Sequence, residues 1–202
     1  MGGVVWPATL GEMLFGGGCE SRFNQSLEGI SWPPGLRKLS VDSIFDNSIQ
    51  GVIFGDSIEE IRLGGQFNQP IAAVRWPVVI QPLTGCHWPE ALIALTTGDA
   101  FAQSLQGVIW PVSLQNLTFG CAWNGELGGA VLPDTLKVLR LGGTFESPIA
   151  GIKLPEGLQE VSFALHFQEV DDVRWPRNVR RVVLQDHLNK IIWPNALRGR
   201  SR

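Results

Sequence analysis

The side chains best suited to chemistry are scarce in this sequence, and their spacing does not favour a metal site. The histidines are His87, His166 and His187. None takes part in the H-x-x-x-H or C-x-x-C spacing of a zinc site, and the adjacent pair Cys86 and His87 is poorly placed to bind one ion. We therefore expect no metal and no cofactor.

The cysteines give no even disulfide framework. They are Cys19, Cys86 and Cys121. We expect free, buried thiols in a reducing compartment. The sequence shows no secretory signal and no apolar run near the ~20 residues of a membrane span. It thus predicts an intracellular, cytoplasmic protein without membrane insertion.

Catalytic motifs are also missing from the sequence, which has no nucleophile elbow, phosphate-binding loop or dinucleotide fingerprint. Two carboxylates can act together in a glycosidase, and Glu60 and Glu160 are candidates because both fall on the same predicted face. They should lie four or five strands apart at ~4.8 Å per strand, which is too far to cooperate. The sequence predicts a non-enzymatic protein, with catalysis as a remote alternative.

A third candidate chemistry is a row of threonines at strand spacing, formed by Thr84, Thr96 and Thr118. Such a row on a flat sheet could match a crystalline surface such as ice. The row is short and is interrupted by Arg62 and Arg140, so ice-like binding is a remote alternative.

A repeat of 22 residues must position these side chains. Seven of the eight tryptophans directly precede proline. The residue at this place recurs every 22 positions in two series: Trp32, Phe54 and Trp76, then Trp88, Trp110, Leu132 and Leu154. A second anchor has the same period: Phe23, Phe45 and Phe67, then Phe101, Trp123, Phe145 and Phe167. Two independent anchors with one period indicate a repeat protein.

Each unit contains one short strand and a loop wall. Alternating apolar residues, as in Leu114, Leu117 and Phe119, predict a half-buried strand. Proline precedes it, and a glycine such as Gly120 is expected to permit a sharp turn after it. The phenylalanine and isoleucine of the following piece then point inward from the loop wall. Because one such unit cannot bury its apolar face alone, neighbouring units must stack.

The sequence therefore predicts one domain over 1–202, a right-handed parallel solenoid of about nine coils with little helix. The segments "FNQS" at 23–26, "FNQPI" at 67–71 and "ESPI" at 146–149 carry a more specific signal. With the period, they make residues 4–197 resemble the FNIP repeat, a 22-residue variant of the leucine-rich repeat. The resemblance implies a curved stack with a strand-lined concave face, protein binding, and no known catalytic residue set. Tryptophan in place of leucine before proline departs from that pattern, as do the degenerate units after Leu154.

Two coils of irregular length and both ends of the sequence depart from the regular 22-residue repeat. Four extra residues fall in the segment 16–22, and the unit 76–88 is ten residues short, which predicts a break or kink in the stack. A structural accident is the simpler interpretation of the short unit, and a functional hinge is the alternative. The stretch 4–6 is apolar and uncapped, whereas 174–202 holds eight Lys and Arg and one acidic residue. We expect one end to be covered, through end-to-end self-association or docking in a larger assembly.

Strand alternation also predicts a candidate binding face. Its residues are Lys38, Ser40, Glu60, Arg62, Thr84, Thr96, Asn116, Thr118, Arg140, Glu160, Ser162 and Arg181. This face is small and polar in its middle and charged toward both ends, which suits another protein better than nucleic acid. The sequence thus predicts a non-catalytic protein-interaction scaffold, with a passive structural subunit of a larger complex as the main alternative.

Overall fold

A computed structural model describes residues 4–16, 22–72, 88–149, 152–164 and 173–185. In these ranges the regular secondary structure consists of β-strands, and no helix is present. The expectation of a mainly β solenoid with little helix is confirmed.

Eight short strands follow one another along the chain. They are β1 (Glu12–Phe15), β2 (Lys38–Val41), β3 (Glu60–Arg62), β4 (Ala94–Thr96), β5 (Asn116–Thr118), β6 (Val138–Arg140), β7 (Glu160–Ala164) and β8 (Arg181–Gln185). They form one sheet in chain order, and every pair of neighbours is parallel. This order is the signature of a solenoid, because each coil adds its strand beside the previous one.

The strands arise from the alternation that the sequence shows. In β2, Leu39 is 1% exposed while Lys38 is exposed. A turn precedes the strand, in which the amide of Leu36 donates to the carbonyl oxygen of Pro33 at 3.1 Å. The same bond between proline and the residue three positions later recurs before β4 to β8. The turn delivers an apolar side chain to the core just before the strand begins.

The repeated phenylalanines form the predicted stack in the interior. Phe45, Phe67, Phe101 and Phe145 are fully buried. The ring of Phe67 lies 6.0 Å from that of Phe45 and 6.1 Å from that of Phe101, nearly parallel to both. Each large aromatic side chain buries about 150–250 Å² and contributes to the core accordingly.

An asparagine ladder, which the sequence interpretation missed, ties the loop wall together. The side-chain oxygen of Asn24 accepts the amide of Asp46 at 3.0 Å, and the carboxylate of Asp46 accepts the amide of Asn68 at 2.8 Å. Asn68 in turn accepts the amide of Ala102 at 2.9 Å, and a further step starts at Asn124. In four coils, the Asn or Asp directly after the aromatic residue therefore satisfies a backbone donor of the next coil, and the ladder is interrupted at Ala102.

The glycines after β3 to β6 have a different role from the predicted one. None of Gly64, Gly98, Gly120 and Gly142 has a positive φ, so none is required by a left-handed turn. The reason is close backbone approach: a Cβ atom on Gly98 would lie 1.7 Å from the carbonyl oxygen of Gly64. Each glycine lets one coil lie directly on the coil before it.

The sheet is continuous across the short unit, contrary to the predicted break, and the number of strands differs slightly from the expected nine or so. In the part of the chain described there are eight strands, and β3 pairs directly with β4, with Glu60 opposite Ala94 and Arg62 opposite Thr96. The predicted strand around Thr84 falls in residues 73–87, which are outside the described ranges. The 34 positions from Glu60 to Ala94 are one 22-residue unit plus twelve inserted residues, so the stack continues unbroken.

Candidate protein-binding face

The candidate face is the outer side of the sheet, formed by the first and third residues of each strand. In β5, Asn116 and Thr118 are half-buried there, while Leu117 between them is fully buried in the core. We call this surface the strand face. Its first row is Glu12, Lys38, Glu60, Ala94, Asn116, Val138, Glu160 and Arg181. Its third row is Leu14, Ser40, Arg62, Thr96, Thr118, Arg140, Ser162 and Val183.

Eleven of the twelve residues predicted for this face lie on it. They are Lys38, Ser40, Glu60, Arg62, Thr96, Asn116, Thr118, Arg140, Glu160, Ser162 and Arg181. The twelfth, Thr84, lies outside the described residues.

An N-terminal charge cluster occupies β1 to β3 and is balanced. Lys38 Nζ lies 3.3 Å from Glu12 Oε1, and Arg62 Nε lies 2.6 Å from Glu60 Oε1. Two cations face two carboxylates, and the side chains line a shallow groove of about 310 Å³. Exposed pairs of this kind contribute little stability, typically below about 1 kcal/mol.

A C-terminal charge cluster occupies β6 to β8 and is not balanced. Arg140 Nη2 donates to Glu160 Oε1 at 2.8 Å, and Arg181 Nη1 donates to Glu160 Oε2 at 3.3 Å. One carboxylate is thus shared by two guanidinium groups. The Glu160 side chain is 17% exposed, whereas those of Arg140 and Arg181 are 49% and 63% exposed.

The centre of the strand face is neutral. Thr96 lies beside Thr118, with Ala94 and Asn116 in the first row. Arg62 adjoins Thr96 directly, because no strand intervenes between β3 and β4. The described part of the predicted threonine row is the adjacent pair Thr96 and Thr118, bordered by Arg62, which weakens the case for ice-like binding.

A polar groove of about 380 Å³ runs from this centre to the C-terminal charge cluster. The hydroxyl-bearing residues Thr96, Thr118 and Ser162 line it together with both arginines. Asp99, in the turn after β4, lines the other end, and its Oδ1 accepts the amide of Cys121 at 3.3 Å. The groove thus offers hydroxyl groups along its length and opposite charges at its two ends.

The structure does not bring the residues considered for catalysis together. Glu60 and Glu160 are four strands apart, about 19 Å at ~4.8 Å per strand, and each engages arginine. No cluster of three His, Cys, Asp or Glu suitable for a metal ion occurs among the described residues. Cys121 is a free thiol, but it is exposed rather than buried as expected. The three histidines, Cys19 and Cys86 lie outside the described ranges.

A separate apolar surface was missed by the sequence interpretation. Ile109, Val112 and Val131 are 50%, 83% and 82% exposed, and they surround a groove of about 730 Å³ beside Trp110. We call it the apolar groove. Ile109 and Val131 both lie two positions before a proline of the repeat. Aligning the units on that proline would have shown that this position holds an apolar residue in neighbouring coils.

The shared carboxylate was also missed. Strand alternation places Arg140 in the third row and Glu160 in the first, and nothing in the repeat indicates that a third-row side chain reaches the first row of the next strand. Glu160 and Arg181 are 21 rather than 22 positions apart, yet the register places them side by side. Only the side-chain directions reveal the three-residue cluster.

Together, the parallel sheet, the stacked loop wall and the polar strand face define a leucine-rich-repeat-like solenoid. A similar solved structure is the crystal structure of CroV588, a novel circular leucine-rich-repeat protein, with a TM-score of 0.58 and 30% sequence identity. The similarity covers 80% of this chain and 26% of that one, so the chain spans about a quarter of that protein's length.

Two other comparisons gave no match. No family model matches the chain, and no curated protein is significantly similar to it. A search of the described residues found no helix long and apolar enough to span a membrane.

Proposed function

We propose that this chain is a non-catalytic protein-interaction module that binds another protein through its strand face. The observation that carries the proposal is the arrangement of that face, in which a neutral centre of hydroxyl and amide groups lies between two charged clusters. The side chains project from a sheet whose strands are held in register by backbone bonds. A rigid surface loses little conformational entropy on binding and can be specific.

The leucine-rich-repeat-like fold supports this function, because such solenoids commonly present extended binding surfaces. The motif "FNQPI" at 67–71 supports a closer relation to the FNIP repeat. In the structure its Phe67 and Ile71 are buried and its Asn68 belongs to the asparagine ladder. Membership of that family is part of the proposal.

A protein fits the strand face better than a nucleic acid does. Binding to single strands relies on exposed aromatic side chains and a continuous basic track. The first and third rows, as far as the structure describes them, contain no aromatic residue, and the N-terminal charge cluster is balanced. The expected partner is therefore a protein with a largely polar complementary surface.

The test is affinity capture from the source organism's extract with the parent chain and matched variants. Thr96→Arg combined with Thr118→Arg places two bulky charges at the centre of the strand face, and we expect the partner to be lost. Gln106→Arg adds one such charge on the loop wall, where Gln106 is exposed, and should retain it. Equal recovery of the same proteins by both variants would place binding away from the strand face.

The second candidate, a structural subunit of a larger assembly, is favoured by the exposed aliphatic side chains. The apolar groove, and Val5 and Leu14 at 93% and 59% exposed near β1, are surfaces that a neighbouring subunit or second copy could cover. Val112→Glu combined with Val131→Glu separates the candidates. A partner that this variant loses, and that the threonine variant keeps, would support the structural role.

A further inference from the structure

The C-terminal charge cluster has more cationic N–H donors than its one carboxylate accepts. Each guanidinium has five N–H donors, and the hydrogen bonds described for Arg140 and Arg181 use one from each, both to Glu160. A single half-buried carboxylate holds the two groups close together while both remain substantially exposed. The cluster carries one surplus positive charge on two substantially exposed side chains.

The other ion pairs found among the described residues lack this feature. Arg62 has Glu60 on its own strand, Lys38 has Glu12, and Arg37 has Glu59 at 3.1 Å, one acid for each base. Among the described residues, only Glu160 bonds to two arginines. The surplus charge is therefore specific to β6–β8 rather than a general property of the sheet.

The polar groove extends from this surplus charge across the sheet toward Asp99. Asp99 lies at its β4 end, about 19 Å across the sheet from β8 at ~4.8 Å per strand, and both arginines lie toward β8. Thr96 lies on β4 near the Asp99 end, and Thr118 lies beside it on β5; both hydroxyl groups can exchange hydrogen bonds with a main chain. An extended segment of about six residues has the matching length at about 3.3 Å per residue.

We propose that Arg140 and Arg181 bind an aspartate or glutamate side chain of an extended partner segment that lies in the polar groove. The inference rests on the proposed function and names the chemistry of the partner. Arginine suits this role because its planar fork binds carboxylates in a bidentate manner. Glu160 occupies the site in the free protein and positions the two guanidinium groups, so the incoming carboxylate shares them with it.

The primary test is selection from a random library of twelve-residue peptides against the immobilised full chain. Peptides that bind the parent should be enriched several-fold in Asp and Glu over the unselected library. The enrichment should disappear with Arg140→Gln combined with Arg181→Gln, and it should persist with Arg37→Gln, which removes an exposed arginine away from the groove. A circular dichroism melt of each variant verifies folding.

A gain of affinity provides a second test that loss of folding cannot imitate. Glu160→Gln removes the internal carboxylate and frees both guanidinium groups. A selected acidic peptide should bind this variant at least three-fold more tightly than the parent in fluorescence anisotropy, and its Glu→Gln counterpart should bind neither. Weaker binding of the acidic peptide to the Glu160→Gln variant would overturn the proposal.

Three further outcomes would overturn it: selection of no peptide, selected peptides without acidic enrichment, and enrichment that survives removal of both arginines. Binding of a twenty-nucleotide single-stranded DNA that requires both arginines would assign the cluster to nucleic acid instead. Capture of a protein partner that depends on Thr96 and Thr118 but not on the arginines would leave the proposed function standing and this inference wrong.

Discussion

At the scale of single residues, contact between successive backbones determines which positions tolerate a side chain. Gly64, Gly98, Gly120 and Gly142 form a column in which a Cβ atom on each would lie within 2.0 Å of a carbonyl oxygen of the coil before it. Their φ angles are ordinary, so the requirement for glycine comes from packing rather than from turn geometry. The sequence shows that glycine recurs there, but only the stacking distance explains why.

The adjacent glycines Gly142 and Gly143 provide a matched test. A Cβ atom on Gly142 would lie 2.0 Å from the carbonyl oxygen of Gly120, whereas one on Gly143 would have no atom within 4 Å. We expect Gly142→Ala to lower the free energy of unfolding by roughly 2 kcal/mol or more, because two coils must separate. Gly143→Ala should be neutral or stabilising by up to about 1 kcal/mol, because alanine restricts the unfolded chain. Urea denaturation measures both values, and equal losses would contradict close approach as the cause.

At the scale of elements, the sequence predicts the features that recur with the repeat period. Within the two regular series, β2 to β3 and β4 to β7, the strand positions, the phenylalanine stack and the side chains that share the strand face follow from a spacing of 22 residues. The pairing of β3 with β4 does not follow, because the two strands are 34 residues apart and the intervening Trp-Pro pair resembles the start of another coil. The contact of Arg140 with Glu160 cannot be predicted from the sequence either, because it depends on side-chain rotamers rather than on spacing.

The twelve-residue insertion can be tested by removing it. Deletion of 76–87 joins Arg75 to Trp88 and restores a 22-residue unit, so that β3 and β4 keep their pairing and Phe54 its stacking with Trp88 at 6.2 Å. We expect the free energy of unfolding to stay within about 0.6 kcal/mol of the parent value, because loop length affects closure entropy only weakly.

The control is deletion of 110–121, which also removes twelve residues but takes β5 and its turn out of a regular unit. This variant should lose the cooperative thermal transition seen by circular dichroism. If deletion of 76–87 were as damaging as the control, the inserted residues would be part of the stack, and the direct continuity of the two coils would be wrong.

At the scale of the whole molecule, stability is distributed along one dimension. Each strand pairs only with its neighbours in the chain, and the aromatic stack and the asparagine ladder also link successive coils. Solenoids of this kind are stabilised by the sum of coil and interface contributions. Damage to one coil should therefore weaken adjacent coils first, and the two charged clusters of the strand face should respond differently to it.

Phe67→Ala tests this distribution. The fully buried ring of Phe67 stacks between Phe45 and Phe101, so its removal should cost about 3–5 kcal/mol. In hydrogen exchange followed by mass spectrometry, we expect protection to fall most in β2 to β4 and least in β6 and β7. Phe67→Leu, which keeps most of the apolar volume, should give a smaller change with the same pattern. An equal loss across all strands would show a single cooperative unit, and melting within a degree or two of the parent would show that this ring contributes little to the core.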